Sequence, residues 1–283
     1  MDLSCIIVNY KNSESLKCCL HSIYETIQKI DFEVIIVDNS KKDLGLESIK
    51  ENYPKVQIVD NSNNVGFSKA NNQGAKIAQG EFLFILNPDI ILEKQASNSM
   101  YRYICSHREI GALGPKVLNP DGSLQYSCRR YPTLWTGLFN RYSILSKLFP
   151  KNRFTNQYLM LDFDHNETSP VDWLSGCCLM IPKSVFEKVN GFDENYFLFN
   201  EDVDLCRMIH KIGKKVIYYP QAKVVHKILT SNAKTTTKLI IQRHLGMMYY
   251  FKKHHSKNLL IRGIINFLIS SRCILQLFTN LAK

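Results

Sequence analysis

A carboxylate and an amide stand together at Asn87-Pro88-Asp89, directly after the continuous apolar run Phe82–Leu86. Asp89 is a hard oxygen ligand of the kind Mg2+ or Mn2+ takes, and those ions usually combine one or two carboxylates with substrate phosphates and water. Asn87 can assist without adding charge, although Asn-Pro-Asp alone also reads as a plain turn. Asp38 follows a second apolar run, Phe32–Val37. Its carboxylate can accept the imide N–H of a uracil or thymine ring, a donor cytosine lacks, or it can cap the turn after it. Glu201-Asp202 stand where a helical pattern begins. The helix dipole favours acids there for structural reasons alone; the chemical alternative is a general base that takes the proton of an attacking hydroxyl. His226 closes a late extended segment, as a further Mn2+ ligand, a donor to a phosphate or a structural imidazole. Trp173, with Asp172 before it, can lie beneath a sugar ring or belong to the core.

These groups need elements to hold them. Pro88 has no N–H for a strand ladder and drives Asn87 extended, so Phe82–Leu86 reads as a buried strand that stops at the polar triplet. Leu3–Val8 ends likewise in Asn9-Tyr10, Phe32–Val37 in Asp38-Asn39-Ser40, and Val56–Val59 in the polar loop Asp60–Gly66. Helical patterns over Ser13–Ile30, near Leu44–Glu51, over Lys69–Ala78 and over Gln95–His107 alternate with them. Strands and helices alternating on short connections give an α/β fold with a mainly parallel sheet and helices on both faces. Ligands of such sheets bind beyond the carboxyl ends of the strands.

Further along, the pattern predicts a short strand near Ala112–Leu113 and a hairpin over Val117–Tyr126 turning at Asn119–Gly122. It predicts a strand over Val171–Ile181, with Gly176 inside it as a bulge or close backbone approach. A short helix over Phe186–Phe192 follows. The next helix starts at Asn200 as N-cap, with Leu205, Met208, Ile209 and Ile212 on one face. Val216–Tyr219 and Ala222–Val225 read as short extended segments. Arg129–Pro170 has weak periodicity and many aromatic and basic side chains, and no element is placed in it.

The hydrophobic fraction, 45% of 283 residues, supports a substantial core. Nine cysteines have neither disulfide-framework nor zinc-ligand spacing and read as reduced thiols of a cytosolic protein. Met1 leads straight into a strand, so no signal peptide is expected. Charge is segregated. Residues 205–283 hold 15 Lys and Arg and no acid, whereas the other 21 basic side chains face all 25 acids. Such a block suits anionic lipid, nucleic acid or a phosphorylated substrate. From Leu259 to Lys283, Arg262, Asn266, Ser270, Arg272, Gln276, Asn280 and Lys283 fall on one half of a helical wheel, and apolar residues on the other. No uncharged run reaches the roughly 20 residues of a spanning helix. A basic amphipathic helix lying in a membrane surface is expected, helped by Lys252, Lys253, His254, His255 and Lys257; the alternative is packing on its own domain or on a dimer partner.

The segments SCIIVNYKN, VIIVDNS, NNVGFSKANNQG, GEFLFILNPDI, WLSGCCLMI, GFDENYFLFNEDVDLCRM and AKVVH, in this order, resemble the family 2 glycosyltransferases. They are most similar to the bacterial rhamnosyltransferases of polysaccharide and O-antigen synthesis. The resemblance spans roughly residues 3–230. It implies a GT-A (Rossmann-like) fold over 1–235, with a nucleotide-sugar half (1–115) and an acceptor half (116–235), followed by a basic helical tail over 236–283. It further implies a nucleoside-diphosphate-sugar donor (dTDP- or UDP-linked), Mg2+ or Mn2+, inversion at the anomeric carbon, and a lipid-linked glycan acceptor at the cytoplasmic membrane face. By position, Asp38 matches the acid that holds the base, with Asn9, Gly66, Asn71, Asn72 and Asn87 around the donor. Asp89 matches the last acid of the metal motif and His226 the late metal or diphosphate ligand. Asp202, with Glu201 before it, matches the catalytic base; Trp173 and Asp172 fall to the acceptor. Asn87 departs from the broader family, which usually has Asp there, and lowers the negative charge of the site.

Two other readings are weighed. Nucleotidyl transfer to a sugar phosphate usually needs a Gly-rich basic loop near the N-terminus, which Asn9-Tyr10-Lys11-Asn12 does not supply. A non-catalytic membrane-bound scaffold conflicts with the joint presence of Asp38, Asp89, Asp202 and His226. Nucleic-acid binding is not expected, since basic residues interleaved with stacking aromatics are confined to Tyr249–Lys253. A homodimer is compatible with the sequence.

Overall fold

The computed structural model describes residues 1–41, 45–133, 152–227, 236–255 and 258–281. The N-terminal strands β1 (Leu3–Asn9), β2 (Phe32–Asp38), β3 (Gln57–Asp60) and β4 (Phe82–Leu86) run parallel in the spatial order β3-β2-β1-β4. The chain steps outward from β1 to β3 and then crosses back to β4 on the other side. The crevice above the carboxyl ends of β1 and β4 is therefore the switch point of the sheet, the place where such folds hold ligands. Cys5, Ile6 and Ile7 of β1 and Leu83, Phe84 and Ile85 of β4 have no exposed surface, which is why both strands are unbroken apolar runs. Emptying one such position, as in Phe84→Ala, costs about 3–5 kcal/mol.

Helices α1 (Ser13–Thr26), α2 (Gly45–Asn52) and α4 (Ala96–Ser106) cover one face of the sheet, and α3 (Phe67–Ile77) covers the other. Beyond β4 the sheet becomes mixed. β11 (Cys178–Pro182) inserts antiparallel between β4 and β6 (Ile110–Leu118), and β12 (Lys215–His226) runs parallel to β6 before pairing with β5 (Ile90–Leu92). β7 (Leu124–Gln125) folds back on β6 as the expected hairpin, and β9 (Ser169–Pro170) adds to β12. A separate ribbon joins β8 (Cys128–Arg129) to β10 (Trp173–Leu174).

Several expectations change in detail. Val171–Ile181 is not one strand: it breaks at Ser175–Cys177 between β10 and β11. A Cβ at Gly176 would make only ordinary 3.4 Å contacts, so no close approach requires glycine there. The two late extended segments are one strand with an irregularity between Tyr219 and Lys223. The strand near Ala112 runs over nine residues. The short helix is α6 (Lys183–Lys188), earlier than the sequence pattern placed it. The unassigned stretch carries β8, β9 and the helix α5 (Arg153–Leu159), while its residues 134–151 lie outside the described ones, as do Lys257 and Lys283.

Helix α7 (Glu201–Lys211) packs over β10 and β12, and α8 (Thr237–His254) packs on α7 and the loop before it. Asn200 holds the expected N-cap position of α7, its carbonyl accepting the Asp204 N–H at 3.0 Å, but its side chain does not cap the helix. It sits at φ 69° with no side-chain capping bond, and its amide reaches the Arg243 carbonyl of α8 at 3.5 Å. The last helix, α9 (Leu259–Leu281), lies along α8. Its buried side holds Ile265, Ile269 and the partly buried Arg272, while Leu260 (80%), Phe267 (70%) and Phe278 (67%) face outward. By length and composition α9 is able to cross a membrane, in spite of the two arginines that interrupt its uncharged runs. Its exposed apolar side marks it for membrane association.

Candidate active site

The register of the sheet gathers the polar strand ends. Asn9 pairs with Asp38 at the carboxyl ends of β1 and β2, and Ile7 pairs with Leu86, which puts Asn87–Asp89 on the same rim. β11 runs antiparallel and opens at that rim, with Cys178 opposite Leu86, and the Asn87 N–H donates to the Cys177 carbonyl at 2.8 Å. His226, the last residue of β12, pairs with Ile90 beside Asp89.

At one end of the rim Asp38 is 1% exposed. The Asn9 amide donates to its Oδ1 at 2.8 Å, while its Oδ2 is buried and lacks a hydrogen-bond partner. A buried carboxylate oxygen left unpaired is costly, and an N–H donor on a ligand relieves that cost. Asn39 donates to the Gly66 carbonyl at 3.3 Å, tying the strand end to the loop ahead of α3. Gly66 has φ +92°, and a Cβ there would stand 2.6 Å from the Phe197 carbonyl oxygen, so both conformation and space call for glycine. Asn71 is buried with its amide on the Phe67 carbonyl at 3.0 Å and its Oδ1 unpartnered. Asn72 turns elsewhere: its amide clamps the backbone N–H and C=O of Phe192 at 3.0 and 2.8 Å.

At the centre of the rim Asp89 Oδ1 lies 3.1 Å from His226 Nε2, and His226 Nδ1 lies 2.7 Å from the Gln125 side-chain oxygen. Burial pushes the His226 pKa down, but Asp89 and the Cys177 thiol outweigh it and raise the value to about 10. The charged ring donates from both nitrogens, Nδ1 to Gln125 and Nε2 to Asp89; a cation between Asp89 and His226 would displace the Nε2 proton and take its lone pair while Gln125 keeps the Nδ1 proton. Among the described residues no three or more His, Cys, Asp or Glu side chains form a metal cluster. One carboxylate oxygen and one imidazole nitrogen nonetheless fit Mn2+ or Mg2+ when phosphate oxygens and water complete the shell.

The break between β10 and β11 carries the next group. The Gly176 N–H donates to Asp202 Oδ2 at 3.0 Å, and the Val203 N–H to Oδ1 at 2.9 Å. Burial raises the Asp202 pKa above the ordinary carboxylate value; those two N–H groups and the charge of Arg129 pull part of the way back. Glu201 is 5% exposed with Oε2 unpartnered, and burial, then the Asp202 charge, pushes its pKa well up. Of the pair, Asp202 is therefore the carboxylate more readily ionised. Trp173 is 6% exposed, with its indole N–H on the Arg130 carbonyl at 2.8 Å. Asp172 accepts the Tyr131 N–H at 2.8 Å and pairs with Arg130 at 3.7 Å.

Thus Asn9, Asp38, Gly66 and Asn87 are linked by direct bonds or register, as are Asp89 and His226, and Gly176 ties Asp202 to the same rim. Trp173 and Asp172 stand apart, on the β8–β10 ribbon. Sequence reasoning missed Gln125, which orients His226, and Arg129, whose charge acts on Asp202. Gln125 follows the hairpin turn and Arg129 lies in an aperiodic stretch, so spacing flagged neither.

Comparison with known proteins now decides the family. The model described as Glycosyl transferase family 2 matches residues 4–189. This chain belongs to that family. Among relatives of the transferase is the N-acetylglucosaminyl-diphospho-decaprenol L-rhamnosyltransferase of Mycobacterium tuberculosis, 28% identical over 90% of this chain and 85% of its own. The rhamnosyltransferase WbbL of Escherichia coli is 26% identical over 78% and 81%. Solved structures with the same fold include GalNAc-T7 with UDP, GalNAc and Mn2+ (TM-score 0.64, 18% identity, 89% of this chain and 50% of that one). The mannosyltransferase PcManGT of Pyrobaculum calidifontis with GDP-Man and Mn2+ is another (TM-score 0.61, 16% identity, 99% and 75%). At these identities the likeness is one of fold: the transferase has the GT-A architecture that its sequence resemblance implied.

Proposed function

We propose that this family 2 glycosyltransferase is an inverting, metal-dependent enzyme that adds one sugar to a lipid-linked glycan acceptor in cell-surface polysaccharide synthesis. The observation that carries the reading is the shared rim: register and hydrogen bonds bring an orphaned Asp38 oxygen, the Asp89–His226 pair and the Asp202 carboxylate to the carboxyl ends of the parallel strands. Rhamnose from dTDP-rhamnose is the donor favoured by the similarity to rhamnosyltransferases. A UDP-hexose or galactofuranose donor suits the same groups, because Asp38 accepts the imide N–H common to uracil and thymine.

In this reading Asp38, steadied by Asn9, holds the base, and the Gly66 loop and Asn71 flank the donor. Asp89 and His226 would hold the cation, which would offset charge on the departing diphosphate. Asp202 takes the proton of the acceptor hydroxyl while that oxygen bonds to the anomeric carbon. The bond from that carbon to the diphosphate oxygen breaks, the electron pair leaves with the nucleotide, and the configuration inverts. One base suffices, since no covalent sugar–enzyme intermediate forms. The exposed face of α9 would keep the transferase at the cytoplasmic leaflet, where the polyprenyl-linked acceptor lies.

A thermal-shift and calorimetric panel of nucleoside-diphosphate sugars with Mn2+ tests this. Selective stabilisation by a uracil or thymine nucleotide sugar, lost in Asp38→Ala and weakened without Mn2+ or in Asp89→Ala, is expected. Equal response to cytidine or guanosine donors, or none to any, would overturn it.

A further inference from the structure

Asp121, Ser123, Asn119, Gln125 and His226 form a relay of hydrogen bonds that ends beside Asp89. The Ser123 hydroxyl donates to Asp121 Oδ1 at 2.6 Å, and the Asn119 amide donates to Ser123 Oγ at 2.9 Å. The Gln125 amide donates to Asn119 Oδ1 at 3.0 Å, which leaves its own Oε1 against His226 Nδ1 at 2.7 Å. Asp121, Ser123 and Asn119 take no part in the transfer chemistry described above.

The direction of the relay is fixed at its far end. An ionised carboxylate only accepts, and the Ser123 hydroxyl and N–H hold the Asp121 carboxyl below its ordinary pKa. Ser123 must therefore donate to Asp121 and accept from Asn119. That turns the Asn119 oxygen toward Gln125, and the Gln125 oxygen toward His226. Nδ1 consequently carries a proton whatever the charge of the ring, and Nε2 is the nitrogen left to meet a cation beside Asp89. Without an acceptor at Nδ1, a neutral ring is free to keep its proton on Nε2. Asp89 would hold it there at 3.1 Å, and the position of the cation would be closed. The Cys177 thiol also lies against the ring, but a thiol is a weak hydrogen-bond partner.

The fold makes the relay stiff. Pro120 fixes one φ of the turn and Gly122 supplies φ +81°. The Asn119 N–H donates to the Ser123 carbonyl at 2.8 Å, and its carbonyl accepts the Gly122 N–H at 2.9 Å. Val117 of β6 pairs with Gln125 on one edge and with Val224 of β12 on the other, which brings Gln125 level with the end of β12.

We propose that Gln125, aligned by the Asn119–Ser123 turn, is a positioning residue that fixes which nitrogen of His226 meets the metal and so sets the affinity of the site. This rests on the Asp89–His226 cation site of the reading above and adds an outer group to it.

The test is Mn2+ binding to the full-length protein in the presence of UDP, followed by the electron paramagnetic resonance of the free ion. Gln125→Leu is expected to bind Mn2+ about 10- to 100-fold more weakly, the usual effect of losing the outer partner of a ligating histidine. Its binding of UDP without metal should match wild type. Gln125→Glu, which still accepts at Nδ1, should recover most of the loss. In a His226→Ala background Gln125→Leu should cost nothing further, since the effect passes through the ring. Wild-type Mn2+ affinity in Gln125→Leu overturns the proposal, and so does a loss that adds in full to that of His226→Ala. Weaker metal-free UDP binding in Gln125→Leu also overturns it, because the side chain would then be holding the fold. If the wild type takes up no Mn2+ with UDP, the cation site of the transferase reading falls and the proposal with it, a result distinct from the other three.

Discussion

Gly246 in α8 passes so close to Phe199 that a Cβ on it would stand 2.7 Å from the Phe199 carbonyl oxygen and 3.0 Å from the Asn200 amide nitrogen. Phe199 and Asn200 both have positive φ, 71° and 69°, and lead directly into Glu201-Asp202. The basic tail helix is thereby a wall of the loop that aims the proposed base, and Arg243, 4.7 Å over the Phe199 ring, adds to it.

Gly246→Ala is expected to destabilise the protein by about 1–3 kcal/mol through overpacking, even though alanine favours a helix by about 0.5–1 kcal/mol. Gly263→Ala in α9 meets nothing within 4 Å and is expected to be neutral or stabilising. Paired urea melts decide the matter; the idea fails if both variants shift the midpoint alike.

Lys253 of α8 joins Asp204 at 2.8 Å and Asp193 at 2.6 Å. Removing it in Lys253→Met leaves Asp204, 2% exposed, with His254 as its one charged partner and a 3.4 Å bond from the Tyr196 hydroxyl. The cost is expected at about 2–3 kcal/mol, below the range for fully buried pairs because Lys253 keeps some exposure. Burial pushes Asp193 up, but Lys253 and Asn195 hold it down at about 2, against an ordinary 3.8. For a depressed acid the stabilisation is present above the unfolded value and lost as pH falls through the folded one. Wild-type stability should thus drop between about pH 4 and pH 2, and Lys253→Met should show a smaller drop. Thermal melts across that range would expose an error if the two proteins lost stability in parallel.

Asp202→Asn keeps an oxygen to accept the Gly176 N–H at 3.0 Å, so the fold and nucleotide binding should survive. The amide takes no proton, and turnover should fall by about 10²–10⁴. In the wild type the rate should fall with decreasing pH at a value above the ordinary carboxylate range, because burial raises the Asp202 pKa. Turnover within a few-fold of wild type, or an unchanged acid limb in the variant, would assign the base elsewhere.

What the sequence disclosed follows from the range of the physics involved. Buried parallel strands such as Phe82–Leu86 are continuous apolar runs, and Pro88 marks their end, so the switch-point crevice is readable from local pattern. The Glu201-Asp202 helix is equally local. Arg129 and Gln125 owe their places to pairings across 44 and 101 residues, Arg129 with Trp173 and Gln125 with His226, and no local periodicity encodes those. Gly176 reads as a bulge but not as a break: Val171–Ile181 is apolar except for Asp172, Ser175 and Gly176, and a bond from the Gly176 N–H to a distant carboxylate interrupts it.

The tail completes the set. Leu260, Phe267 and Phe278 project from α9 at 80%, 70% and 67% exposure, so replacing them takes nothing from the core. The triple change to Asp on the full-length chain should leave the thermal midpoint within about 1 kcal/mol of wild type, as surface substitutions usually do. Each buried apolar side chain contributes about 1.5–3 kcal/mol to partition into an apolar phase, so flotation with vesicles containing anionic lipid should be lost. Retained flotation would place the contact elsewhere. Loss of a dimer with flotation intact would instead make this face a subunit interface, and gel filtration of the same samples separates the two.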